Sequence, residues 1–198
     1  SVGVEANIEG LGLDQLGVEL QRGFVSVDEY QQTSVDGIFA IGDVCGAPCL
    51  AHKASHQGII VAEKISGKKV NKFFKDEDIP SCTYSNPQIA SIGLTEEKAK
   101  QQGYDVNIGN FPFTANGKAL ALGEDEGFIK TIFDKNTGEL LGAHLVGAEV
   151  TELISTYIVG KGLETTPDEF LSNIFPHPTM SEMLYQSVLS SESKSIHY

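Results

Sequence analysis

Residues 127–147 read GFIKTIFDKNTGELLGAHLVG, and no other stretch narrows the fold as much. Two runs of strand-forming residues flank KNTG, a turn-rich linker, so the segment predicts an antiparallel hairpin. The pattern then turns helical. Val150, Leu153, Ile154, Tyr157 and Ile158 recur at intervals of three and four, which gives one apolar face. Met180, Met183, Leu184 and Val188 do the same. Upstream, QIASIGLT and DVNIGNFPF read as strands, separated by TEEKAKQQG with Thr95 as cap and a glycine as stop. The expected solution is α+β: an antiparallel sheet with helices on one face.

Before these elements lies KKVNKFFKDEDIP, a charged, apolar-poor stretch ending in proline, as suits a linker. It divides an expected first part, 1–76, from a second, 77–198. In the first part GIFAIGD, Gly37 to Asp43, reads as a buried strand. A helix follows, with Ala51, Ala54, Ile59, Ala62 and Ile65 near helical spacing and Gly67 as stop. There is no internal repeat. The opening SVGVEANIEG has neither the basic start nor the apolar stretch of a signal peptide; it reads as the end of a strand entering a loop, in a chain that begins inside a domain.

The 198 residues, 40% apolar, suffice for one large domain or two small ones, and no apolar run reaches the roughly 18 residues of a membrane span. A net charge of -13, from 27 acidic and 14 basic residues, disfavours nucleic acid and anionic membranes as partners. Either the charge aids solubility or it serves a basic protein partner. Cys45, Cys49 and Cys82 are too few for a disulfide scaffold, so free thiols and a reducing compartment are expected. No His or Cys pair completes a metal site with Cys45 and Cys49.

Two places carry chemistry. Asp43 closes the GIFAIGD run where open α/β sheets place ligands, and Gly42 permits close approach to the backbone. Such a carboxylate either accepts hydrogen bonds from sugar hydroxyls or caps the following turn. CLAHKA opens a helix whose unpaired amides and positive dipole end form an anion site, with His52 as a ligand contact or a partly buried polar residue.

The second place is FPHPTMSE. Pro176 and Pro178 restrict the backbone on both sides of His177, and an X-Pro bond can also be cis, so the imidazole is aimed. Histidine's pKa near 6.5 lets it take a proton from a thiol and return it. A carboxylate on its other nitrogen would fix the tautomer, and Glu182 is the candidate. TMSE is equally a capping box, with Thr179 as cap and Glu182 bonding back to it.

TSVDGIFAIGDVCGAPCLAHKASHQG resembles the second FAD motif of the flavoprotein disulfide reductases, and LAHKA is similar to their dihydrolipoamide dehydrogenase branch. SCTYSNPQIASIGLTEEKAKQQG, FPFTANGKALALGEDEGFIKTIFD, LLGAHLVGAEVTELI and FPHPTMSE continue the resemblance in the family's order over essentially the whole chain. It implies FAD and NAD as cofactors, with Asp43, Cys49, Leu50, Ala51 and His52 at the FAD and Gly3 near the NAD. It also implies that His177 is the acid/base and Glu182 its partner. GVEAN departs from the arginine and proline that often follow that glycine. Phe175 stands where many relatives carry a second histidine.

The family's GxGxxG elements and CxxxxC redox pair do not occur in the chain. Cys45 and Cys49 enclose three residues rather than four, and do not qualify. The resemblance is therefore to a C-terminal portion: the end of an NAD domain with a central FAD-contacting segment, then a dimer-interface domain. It implies a homodimer whose active site spans the two-fold interface and which oxidises dihydrolipoamide with NAD, the chain alone being inactive. Implied partners are the lipoyl groups of 2-oxoacid dehydrogenase or glycine-cleavage complexes, in cytoplasm or a mitochondrial matrix. The alternatives are a non-catalytic dimerisation module and a related oxidoreductase acting on another dithiol or disulfide.

Overall fold

Residues 1–8 carry no regular structure in the computed structural model, which describes residues 1–70 and 73–198. The strand expected at the start of the chain has no pairing partner among the described residues, so no ladder forms there. Positions 71 and 72, inside the charged linker stretch, lie outside the described residues. Two units meet between Phe73 and Phe74. Lys75 already belongs to the second: its amide donates to Asp78 Oδ2 at 3.1 Å, and Asp78 Oδ1 meets Lys161 Nζ at 3.1 Å.

The first unit is built around one long helix. α1 (Leu13–Leu16) is a single turn, and β1 (Leu20–Gln21) and β2 (Phe24–Val25) form a hairpin. The hairpin's loop residues Arg22 and Gly23 have φ of 52° and 86°, the two positive values a type I′ turn demands. Gly37–Asp43 is not the buried strand expected. Phe39 makes one isolated bridge to Gln32, Ile41 is exposed, and a 3-10 turn takes over at Gly42–Cys45. An apolar run becomes a sheet core only between neighbouring strands, and the described residues give this run a single bridge.

α2 (Ala51–Ile65) ends as expected, with Gly67 left-handed at φ 70°. Its buried side is not the expected apolar one. Lys53, Gln57 and Ile60 are buried, while Ile59 and Ile65 are exposed. Polar struts hold the helix: Lys53 Nζ donates to the Gly46 carbonyl at 2.8 Å, Gln57 Oε1 accepts from the Gly42 amide at 2.8 Å, and Gln57 Nε2 donates to Gln31 Oε1 at 2.8 Å. Buried amides so paired avoid the cost of unmet hydrogen bonds.

The second unit contains β3 (Ser81–Thr83), β4 (Gln88–Gly93), α3 (Glu96–Gln101), β5 (Val106–Pro112), α4 (Gly117–Leu122), β6 (Phe128–Asp134) and β7 (Leu140–Gly147). After them come α5 (Val150–Gly162), α6 (Pro167–Ser172) and α7 (Glu182–Ser191). The strands form one antiparallel sheet in the order β3-β4-β7-β6-β5. The KNTG hairpin forms because the Asp134 carboxylate accepts from Thr137 Oγ1 at 2.9 Å and Gly138 supplies a φ of 79°. Thr95 caps α3 by accepting from the Lys98 amide at 3.1 Å.

Ile129, Phe133, Ala143 and Leu145 face the main core together with Val150, Ile154 and Tyr157 of α5 and Met183, Leu184 and Val188 of α7. Helices do not keep to one face as expected. Ala99 of α3 packs with Leu94, Ile132 and Leu141 on the other: Ile132 alternates away from Ile129 and Phe133, and the register shift beside it skips Leu141, which leaves the face of Ala143 and Leu145. The seat of α7 is close: a Cβ on Gly109 of β5 would overlap the Ser187 carbonyl, so only glycine fits there. Tyr157, fully buried, brings its hydroxyl to 3.0 Å from the Leu184 carbonyl and 2.7 Å from Ser187 Oγ, fixing α5 to α7.

Candidate active-site residues at two helix starts

His177 stands in a loop that the core fixes at its back. Met180 is buried in the main core, and the Phe175 ring lies 5.8 Å from that of Tyr185 on α7. The His177–Pro178 bond is cis. Between these anchors the imidazole projects outward, its side chain 77% exposed. His177 Nδ1 lies 2.9 Å from Glu182 Oε1. A carboxylate can only accept, so Nδ1 carries the hydrogen and Nε2 keeps a lone pair for a proton from outside.

The capping box and the histidine partner coexist. Glu182 Oε2 accepts from the Thr179 amide at 2.9 Å, as an N-terminal box requires, while Oε1 serves His177. The other half of the box is replaced. Thr179 Oγ1 donates to the Pro176 carbonyl at 2.6 Å and accepts from Ser181 Oγ at 2.8 Å, and the helix begins only at Glu182. Burial pulls the Glu182 carboxyl upward. The Thr179 amide, the His177 ring and the positive charges of His177 and His197 outweigh it and hold the carboxyl below the ordinary glutamate value. Glu182 therefore stays ionised and steers the ring.

α2 starts differently. Leu50 precedes it with extended backbone, no side chain caps it, and its first turn holds no acid. The positive end of a 15-residue helix thus opens at exposed Ala51 and His52; His52 is not the partly buried residue weighed above. The 3-10 turn lies alongside. Gly42, at φ 78°, has room for a Cβ only at contact distance, 3.4 Å, from Ala54, and Asp43 beside it is exposed. Cys49 and Leu50 are half-buried at the helix entrance. The helix start thus offers amide donors, and exposed Asp43 in the neighbouring 3-10 turn offers a carboxylate acceptor.

Gly3 lies in the opening segment without regular structure. Its φ of 114° favours glycine, yet a Cβ there would meet nothing within 4 Å. The three cysteines are unpaired. Burial raises the Cys45 thiol against the opposing charge of Lys53, and burial aided by Glu152 raises Cys82, so neither is primed as a thiolate. Among the described residues no cluster of metal-binding side chains occurs, and no helix is long and apolar enough to cross a membrane.

The sequence pattern of the pyridine nucleotide-disulphide oxidoreductase dimerisation domain matches residues 79–188, more than half of the chain. The chain belongs to the pyridine nucleotide-disulphide oxidoreductase family. A second pattern of that family matches residues 1–58. A dihydrolipoyl dehydrogenase of Zymomonas mobilis is 58% identical over the whole chain, which spans 42% of it. One from Rhizobium etli is 58% identical over 96% of the chain and 39% of its own length, and one from Bacillus subtilis is 46% identical over 100% and 42%. The chain thus spans about two fifths of the curated relatives it matches. The crystal structure of LpdA from Mycobacterium tuberculosis superposes with a TM-score of 0.89 at 26% identity, over 95% of this chain and 41% of its own. The HOCl-induced flavoprotein disulfide reductase RclA of Escherichia coli gives 0.86 at 25%, over 95% and 43%.

Lys53, Gln57 and Asn116 support these groups and were not singled out by sequence; Tyr157 was read only as part of the apolar face of α5. Asn116 carried a signal, since an Asn before a run of helix formers reads as an N-cap. Buried Lys53 and Gln57 carried none.

Proposed function

We propose that the chain is the C-terminal portion of a dihydrolipoyl dehydrogenase, working as a homodimer, and that it supplies the acid/base pair for oxidation of a dihydrolipoyl dithiol. The observation that carries this is the exposed His177 ring held by Glu182 at 2.9 Å, in a chain 58% identical to enzymes of that name. Nε2 of His177 takes a thiol proton, leaving a thiolate. Glu182 stabilises the imidazolium that results, through the hydrogen bond and its own charge. The proton is returned or released from the same nitrogen, so the ring is regenerated in each cycle. Substrates are the lipoyl groups of 2-oxoacid dehydrogenase or glycine-cleavage complexes.

The α2 start fits FAD: helix-start amides suit an electron-rich ring edge, and the Asp43 carboxylate suits a group that donates hydroxyls. When bound, FAD would supply the two-electron chemistry that carries the dithiol's electron pair to NAD as hydride, by way of the family's redox disulfide, whose CxxxxC pair does not occur in this chain. Asp43, Cys49, Leu50, Ala51 and His52 would hold it, and Gly3 would lie near the NAD. Burial raises the Cys45 and Cys82 thiols, which disfavours their reactive thiolate forms.

The decisive experiment replaces His177 in the complete reading frame that encodes this chain. His177→Gln should lower the rate of dihydrolipoamide oxidation on the order of 10²- to 10⁴-fold, the usual worth of a general base, with FAD retained. Turnover at the unaltered rate would overturn the proposal.

A further inference from the structure

We infer that Asn116 is a positioning residue for the His177–Glu182 pair, a role that rests on the acid/base function proposed above. The His177 ring is 77% exposed, so packing cannot aim it. Its direction must come from the Nδ1 bond to Glu182 and from the backbone of residues 176–181. Most bonds that shape that loop are local. Thr179 Oγ1 to Pro176 O, Thr179 N to Glu182 Oε2 and Ser181 Oγ to Thr179 Oγ1 join residues two or three apart. A loop held by such bonds alone can tilt as one piece, carrying its histidine with it.

Asn116 breaks that freedom from 63 positions away. Its Nδ2 donates to the Thr179 carbonyl at 3.2 Å. Its Oδ1 accepts from the Ala119 amide at 2.8 Å, capping α4. The chemistry fixes the orientation of the side-chain amide, since an N–H needs the oxygen and a carbonyl needs the nitrogen. Asn116 is itself only 6% exposed and lies between Phe113 and Ala119, both fully buried. Thr179 is therefore clamped on both sides, its N–H by Glu182 and its C=O by a rigid part of the sheet domain. Burial of Met180 sets the depth of the loop, but apolar contact has no direction; the hydrogen bond does.

Capping and clamping use different atoms of one side chain, so substitutions separate them. In the complete enzyme, Asn116→Ala removes both. Asn116→Ser keeps a capping oxygen and removes the amide donor; Asn116→Asp does the same and serves if the serine variant folds poorly. Serine should recover most of the melting temperature lost by alanine. It should still lower kcat for dihydrolipoamide oxidation about 10-fold to 100-fold, with KM within about threefold, as misaimed catalytic groups do. The acid limb of its kcat against pH profile should move, and the Thr179 amide should exchange with solvent faster by NMR. A serine or aspartate variant with wild-type kcat, pH profile and Thr179 exchange would overturn the inference. His177→Gln in the same assay separates the two claims: if it is harmless, the acid/base reading fails, whereas if it is crippling and serine is harmless, only the role of Asn116 fails.

Discussion

α2 and α7 both begin at candidate chemistry, and they begin in opposite ways. α2 starts uncapped and without an acid in its first turn, leaving its positive end open. α7 starts with Glu182, whose carboxylate turns back on the Thr179 amide and on His177. An open helix start costs stability that a cap would have supplied, roughly 0.5–2 kcal/mol, and offers amides to a ligand in return. A closed start spends those amides on the chain itself and gains a fixed carboxylate. The first arrangement suits holding a cofactor and the second suits orienting a base.

The largest expected effect lies at the closed start. Glu182→Gln retains an oxygen for the Thr179 amide, so stability should stay within about 0.5 kcal/mol of wild type. Its amide nitrogen or its neutral oxygen cannot hold the imidazolium as a carboxylate does. Dihydrolipoamide oxidation by the complete enzyme should then fall on the order of 10²-fold or more, as when the orienting acid of a triad is neutralised. Glu182→Ala should add a loss of about 1 kcal/mol from the cap. Steady-state kinetics paired with chemical denaturation checks both, and a glutamine variant at the wild-type rate would erase the distinction between the two helix starts.

The open start gives a smaller effect. Leu50 has the extended backbone of an N-cap without the side chain for it, at φ -134° and ψ 130°. Leu50→Ser would supply an oxygen to the first-turn amides. Flavin retention by the complete enzyme should weaken about tenfold, the worth of roughly one hydrogen bond, while stability changes by no more than about 1 kcal/mol. Flavin release measured by fluorescence reads this directly. Unchanged retention would mean that the α2 amides do not serve the cofactor.

What could be read from the sequence follows the same division. In the second unit the hairpin around KNTG, the Thr95 cap and the apolar stripe of α5 were legible, because each is a local pattern satisfied by its own sheet domain. In the first unit GIFAIGD and the apolar side of α2 misled. Those residues signal burial without saying against what, and the described residues leave Ile41, Ile59 and Ile65 exposed. Lys53 and Gln57 had no signal, since a buried lysine looks like a surface one until the Gly46 carbonyl is seen beside it. At the candidate site, the flanking prolines drew attention to His177, and the structure leaves its ring exposed beside Glu182. The dual use of Glu182 was not legible, because spacing alone presented as alternatives two bonds that one carboxylate makes together.

The smallest effect tests whether a first-turn carboxylate by itself implies chemistry, and Glu96 of α3 is the control. It receives Lys100 Nζ and Lys130 Nζ, each at 2.5 Å, and those two hydrogen bonds, against a small cost of burial, hold its carboxyl down to about 2. A depressed value means that the ionised form is preferred in the folded state. The resulting stability is fully present above the ordinary glutamate pKa and is lost as pH falls through the folded value, here between about 4.5 and about 2. The pairs are partly exposed, so the contribution should be about 1 kcal/mol or less and should shrink in high salt. Urea midpoints recorded from about pH 6 down to about pH 2 should fall less steeply for Glu96→Gln than for wild type. Glu182, whose value is also depressed, keeps part of the slope in that variant. Catalysis near neutrality should be untouched by Glu96→Gln, since this carboxylate joins a helix start to the sheet and faces no imidazole among its bonded partners. A loss of dithiol oxidation in Glu96→Gln at neutral pH would show that α3 feeds the chemistry after all, and the contrast between structural and functional carboxylates would have to be redrawn.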